Sequence, residues 1–253
     1  MAHSYRTLQQ WNHWLSHHFL GPTLLRMEAE AMQPHLQSHY GKHAVLIGVP
    51  HQAPLLDATA LPCQTMLSPL ISHHLSCELV ESGLHELPFL SGSVDLVLLP
   101  HTLQYVENPR QLLAEACRII KPEGLIVIAG FNPYSALGVM QKFEKTRALP
   151  FHVDFITAKQ IENWLKLADF EVEKPISLLC RPPLKEARWF SRLRYLESLL
   201  TLFPFLGGVH LTIARAKVIP LSPIRMKWKQ PLTGLRLPTP ISTPLARQNE
   251  ACK

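Results

Sequence analysis

The sequence predicts a mostly parallel α/β sheet with helices on both faces, and three observations carry that reading. Residues 94–129 spell strand, amphipathic helix, strand with short links, which is the parallel crossover unit. Further short apolar runs bounded by turn residues lie before and after it, as buried parallel strands require. No linker of domain-boundary type interrupts residues 1–218, so these are expected to form one domain, with residues 219–253 as a tail.

Taken in order, residues 6–40 place Leu8, Trp11, Leu15, Leu24 and Met32 at largely helical spacing. The pattern breaks at Gly21-Pro22, which predicts two short helices, with Gly41 closing the second. Residues 43–49 are β-rich and run into Pro50, the mark of a buried first strand. Weaker strands are expected over residues 62–67 and 77–80, the first ending at Ser68-Pro69 and the second before Gly83. The run Val94-Asp-Leu-Val-Leu-Leu99, between Gly92 and Pro100, predicts a central strand. Asn108 can cap the next helix, Pro109 suits its first position, and Leu112, Leu113, Ala116, Ile119 and Ile120 form its apolar face. Pro122 and Gly124 end it before a strand at residues 125–129.

A helix is expected around 134–147, and Thr157-Ala-Lys-Gln160 reads as a capping box opening a helix with Ile161, Trp164, Leu165 and Ala168 on one face. Residues 170–173 and 210–218 predict the remaining strands, the pairing of the last being left open. Between them lies an insertion, residues 181–208, with an apolar stripe of Trp189, Leu193, Leu196, Leu200 and Phe203 flanked by Arg188, Arg192 and Arg194. Covering the domain's own pocket is its expected role, and an oligomer face or an anionic lipid surface are the alternatives.

Composition narrows the function classes. With 253 residues and 47% hydrophobic content, the chain has ample material for a core. Cys63, Cys77, Cys117, Cys180 and Cys252 are odd in number and far apart, so neither a disulfide framework nor a zinc site is expected, and the cytoplasm is the expected compartment. No signal-peptide core and no run of about 18 apolar residues is found, so no transmembrane segment is expected. The histidine pairs His17-His18 and His73-His74 lack a third ligand at useful spacing, and no metal is expected. The net charge is +6, but in the tail Arg225, Lys227, Lys229, Arg236, Arg247 and Lys253 face only Glu250. The body is close to neutral, and nucleic acid is not an expected partner. Six prolines in the 35 tail positions predict an extended or disordered segment.

The run Leu87-Pro-Phe89, the strand ending at His101, Asn108-Pro109, Glu115 with Arg118, and Lys121-Pro-Glu-Gly124 together resemble the type 11 methyltransferase family over roughly residues 40–175. Gly130-Phe-Asn-Pro-Tyr-Ser135 and Ala214-Arg-Ala-Lys-Val-Ile-Pro-Leu221 further resemble the YafS-like bacterial group within it. The resemblance implies a Rossmann-like methyltransferase fold, S-adenosylmethionine as cofactor, and a small-molecule or lipid-like methyl acceptor. In such a sheet the loops beyond the carboxyl ends of the strands converge on one pocket. Here these are residues 48–52, 66–69, 83–87 and 100–104.

Several implied cofactor contacts are altered. The family's first loop is glycine-rich so that the backbone can approach the cofactor, whereas this chain keeps Gly48 and then has Val49 and Pro50. Met66, before Leu67, stands where the family has the acid that binds the ribose, and Gly83, before Leu84, where it has an acid facing the adenine. Glu81 or Glu86 are the candidate substitutes for the latter. The resemblance makes Gly48, Val49, Pro50, Met66, Leu67, Gly83, Leu84, Pro100 and His101 the expected cofactor-binding positions, with main-chain contacts from Gly48, Leu67, Leu84 and His101.

His101, expected at the pocket mouth, is a candidate general base or else orders its loop; Asn132 contacts substrate or else caps the turn before Pro133. Two functional readings follow. One is a methyltransferase of unknown acceptor with a degenerate cofactor motif, and the other is a non-catalytic relative that serves as a binding module.

Overall fold

The computed structural model describes residues 2–18, 20–72, 76–135, 155–178 and 207–218, all of them in the compact unit Met1–Val218. Strand β1 (His43–Ile47) pairs in parallel with β2 (Cys63–Ser68) on one side and with β4 (Val94–Pro100) on the other. Beyond β2 lies β3 (Glu78–Glu81), and beyond β4 lies β5 (Ile120–Phe131), both parallel. The chain thus winds outward from β1 to β3, then returns to build the other half from β4. That reversal makes the gap between β1 and β4 the switch point, where α/β sheets hold ligands at the carboxyl ends of the strands. Strand β8 (Val209–Ala216) runs antiparallel between β5 and an outer pair, β6 (Phe170–Val172) and β7 (Ile176–Leu178). The predicted α/β class holds. The closing strand expected over residues 210–218 is present as β8, its antiparallel pairing now settled, and β7 is an addition that no local periodicity announced.

Four helices are described: α1 (Ala2–His17), α2 (Leu20–Gln37), α3 (Pro109–Ile119) and α4 (Ala158–Leu167). Asn108 and Thr157 both serve as N-caps, the hydroxyl half of the expected capping box being the half that is seen. Gln111 N–H donates to Asn108 Oδ1 at 3.2 Å, and Gln160 N–H to Thr157 Oγ1 at 3.2 Å. The helix expected around 134–147, nearly all of the insertion, and the tail lie outside the described residues.

Three details differ from the expectation. The break between α1 and α2 comes before Leu20, and Gly21-Pro22 sits in the first turn of α2, where a proline's missing N–H is tolerated. Gly21 is needed for contact instead, because a Cβ there would collide with the Leu15 carbonyl of α1. Helix α2 ends at Gln37, so Gly41 does not close it; Gly41 lies against Asp95. After β1 the chain makes a 3-10 stretch, Pro50–Ala58, rather than a simple turn.

Candidate functional site

At the carboxyl ends of β2 and β3 lies a cavity of about 820 Å³, within the range of ligand sites. Its walls include Leu8 of α1, Pro69 after β2, Gly83 and Leu84 after β3, and Val106 before α3, with Arg6 and Glu86 supplying charge. A Cβ on Gly83 would meet nothing within 4 Å, so this lining residue borders open space. The wall after β3 is held by two residues singled out in the sequence. Leu87 N–H donates to Glu115 Oε2 at 3.1 Å, while Arg118 donates to the carbonyls of Leu87 and Phe89 at 3.1 and 3.0 Å. The Arg118 side chain, 2.8 Å away, holds the Glu115 carboxyl below its ordinary range. The E-x-x-R pattern is therefore a clamp on the Leu87-Pro-Phe89 loop.

The switch point itself is tied shut. Gln52, with no exposed surface, receives Val49 N–H on Oε1 at 3.0 Å and donates from Nε2 to the Pro100 carbonyl at 2.8 Å. Thr102 Oγ1 donates to the Ile47 carbonyl at 2.5 Å, a second link between the loops after β1 and β4.

Beside it, under α1 and α2, is a buried polar cluster. His101 adopts the left-handed conformation (φ 60°), which histidine tolerates better than most residues. Its Nε2 meets Glu28 Oε1 of α2 at 2.5 Å and its Nδ1 faces Gln104 Oε1 at 3.4 Å, and the His101 and Glu28 side chains are both 0% exposed. Glu28 Oε2 has no hydrogen-bond partner among the described residues. Phe131 and Trp11 pack on the His101 ring, with centroids 4.2 and 5.3 Å away, and Trp11 also stacks on Trp14 and Tyr105. Gln104 closes the floor by bonding both the N–H and the carbonyl of Phe131. His210 of β8 stands against Gly130, and burial, aided by His101, pushes its pKa down to about 4. Burial and the nearby Glu28 push the Tyr105 hydroxyl well above its usual value.

Of the residues expected to bind cofactor, the structure places Gly83 and Leu84 on the cavity wall. Gly48, Val49, Pro50, Met66, Leu67, Pro100 and His101 are buried and are not among the cavity's lining residues. His101 is therefore not at a mouth, because α1 and α2 dock over it. Met66 lies fully buried opposite Leu46, so its place is apolar and closed. Glu86 reaches the cavity, whereas Glu81 is exposed at the end of β3 and is absent from its lining. Asn132 donates to the Gly207 carbonyl at 3.0 Å and accepts Tyr134 N–H at 3.1 Å. Sequence reasoning missed Glu28, Gln52 and the covering role of Trp11.

The buried His210 makes acid a selective threat. It stays neutral in the fold down to about pH 4, whereas in the unfolded chain it gains a proton near pH 6.5. The fold binds fewer protons in that window, so stability is present above about pH 6.5 and falls as pH drops toward 4, by about 3 kcal/mol from this group. Urea midpoints measured from pH 7.5 to 4.5 should show the decline, and His210→Gln, which cannot titrate, should flatten much of it. A midpoint in the wild-type protein that stays level to pH 4.5 would contradict the burial argument.

Among the described residues, no helix is long and apolar enough to cross a membrane, and no group of three or more His, Cys, Asp or Glu residues is placed to hold a metal. Comparison with known proteins adds the lineage. The methyltransferase domain family profile matches residues 56–128. The uncharacterised protein YafS of Escherichia coli is 31% identical over 197 residues, covering 78% of this chain and 77% of YafS. A ubiquinone biosynthesis O-methyltransferase of Xanthomonas oryzae is 28% identical over 109 residues, 40% of this chain and 46% of that enzyme. Among solved structures, an S-adenosylmethionine-dependent methyltransferase of Thermotoga maritima superposes with a TM-score of 0.61 at 18% identity, over 86% of this chain and 100% of that one. A Haloferax volcanii methyltransferase solved with its Trm112 activator gives a TM-score of 0.59 at 16% identity, over 82% and 97%. Such distant structures establish the fold, and the YafS match establishes the kinship. The chain belongs to the type 11 group of S-adenosylmethionine-dependent methyltransferases, in the family of YafS.

Proposed function

We propose that this protein transfers a methyl group from S-adenosylmethionine to a small-molecule or lipid-like acceptor that gives up a proton, with His101 as the general base. The observation that carries the proposal is the buried Glu28–His101 pair at the carboxyl end of β4. A carboxylate and an imidazole taken out of water cost free energy, and a purely structural role would be met as well by apolar side chains. The cavity at Gly83–Glu86 has room for the cofactor's nucleoside, with Leu84 and Val106 as apolar walls and Arg6 and Glu86 as polar groups. When bound, the cofactor supplies an electrophilic methyl group. Glu28 holds the His101 ring at Nε2, and Nδ1, which faces Gln104 Oε1 at 3.4 Å, takes the acceptor's proton once that contact is given up, so that the Glu28 carboxylate faces the charge on the imidazolium. Trp11, one helical turn beyond Leu8, covers the ring, so the acceptor reaches His101 only when this contact opens. Low local polarity around the aromatic cluster favours an acceptor with an apolar or ring-bearing body.

A binding module without catalysis is the second reading, favoured by the occupied switch point at Gln52 and the apolar place at Met66. The two part company in one assay. Full-length protein incubated with methyl-labelled S-adenosylmethionine and the small-molecule and lipid fractions of a bacterial extract should place label in one fraction. Cofactor binding by calorimetry without label transfer to either fraction would favour the module.

A further inference from the structure

The crevice between β1 and β4 is filled from within the chain. Gln52 comes from the 3-10 stretch just after β1, yet its carboxamide is sealed, with one acceptor satisfied by the Val49 N–H and one donor spent on the Pro100 carbonyl. The packing is close: a Cβ on Gly48 would run into Gln52 Oε1. A free backbone N–H and a free carbonyl on facing loops would suit a zwitterionic amino acid, whose carboxylate accepts and whose ammonium donates. The Gln52 carboxamide presents the same acceptor and donor in neutral form. We infer that Gln52 is a built-in occupant of the subsite an α-amino-acid tail would take, so that the protein recognises its nucleoside ligand by the nucleoside end and gains little from the tail.

This rests on the proposed entry of a nucleoside at Gly83–Glu86. The consequence is a specificity unlike that of an open switch point: 5′-thionucleosides with and without an amino-acid tail bind alike. Removing the carboxamide releases Val49 N–H and Pro100 O together, and a charged tail then gains charge-assisted hydrogen bonds.

Calorimetry of the full chain with S-adenosylhomocysteine and with 5′-methylthioadenosine tests this directly, since only the first carries the tail. For the wild-type protein the two dissociation constants should agree within about threefold. In Gln52→Ala the tailed compound should tighten by about tenfold or more while the other is unchanged. Gln52→Leu, which refills the space, should behave as wild type. Binding of the tailed compound at least about tenfold more tightly by the wild-type protein would overturn the inference, and needs no variant to fold. So would an unchanged preference in a folded Gln52→Ala that still binds 5′-methylthioadenosine, though the nucleoside reading would then survive. Failure of every protein to bind either compound would overturn the nucleoside reading and this inference with it.

Discussion

Glu28→Ala is expected to lower the free energy of unfolding by about 3–5 kcal/mol, because it leaves the His101 ring buried without its partner. Neither side chain has exposed surface, and their 2.5 Å bond ties α2 to the end of β4. The shortened side chain also leaves a void beside the His101 ring. The loss should be shared rather than additive. Glu28→Leu combined with His101→Gly, which accepts the left-handed backbone, removes both polar partners and should recover about 1–3 kcal/mol relative to the sum of the single changes. Urea denaturation of the four proteins measures this. Strict additivity would mean that the pair is not coupled, and the assignment of Glu28 as the residue that positions His101 would fall.

The second large effect is on chemistry. His101→Asn should reduce label transfer by about 10²- to 10⁴-fold, the usual worth of a general base. Asparagine is chosen because it also tolerates a φ near +60°, so the turn into residues 102–104 is kept. His101 is not among the residues lining the cavity at Gly83–Glu86, so nucleoside affinity should stay within about threefold of wild type. Transfer at an undiminished rate by a folded His101→Asn protein would assign the histidine a structural role only.

Much of the fold was legible because the signals were local. Strand, capped helix and strand across residues 94–129 need only period, a cap at Asn108 and a stop, and each is present. The place of β8 was not legible, since strand pairing over some 85 residues leaves no mark on local alternation. His101 was correctly set at the end of a central strand, but its burial depends on the docking of α1 and α2, which periodicity does not specify. Glu28 did leave a trace: Leu24, Glu28, Met32 and Leu36 form an i, i+4 stripe that is entirely buried, with an acid in its middle. An acid on an apolar stripe demands a partner, though its identity, 73 residues away, is a tertiary fact. Gln52 left none, because a glutamine in a Pro-flanked turn reads as solvent-exposed. Met66 was legible as a missing acid, but not as part of the sealed core, which is why restoring a carboxylate there would bury a charge rather than complete a site.

The central claim is that a nucleoside cofactor occupies the cavity beside Gly83, and filling that cavity tests it most directly. A Cβ at Gly83 meets open space, and the residue is exposed outside any helix or strand, so Gly83→Trp should fold with an unchanged melting temperature while its indole takes up cavity volume. Calorimetric titration of full-length wild-type protein with S-adenosylhomocysteine should give saturable binding at one site, weakened by about 100-fold or more in Gly83→Trp. Binding that is indifferent to the tryptophan, or absent from the wild-type protein, would contradict the account.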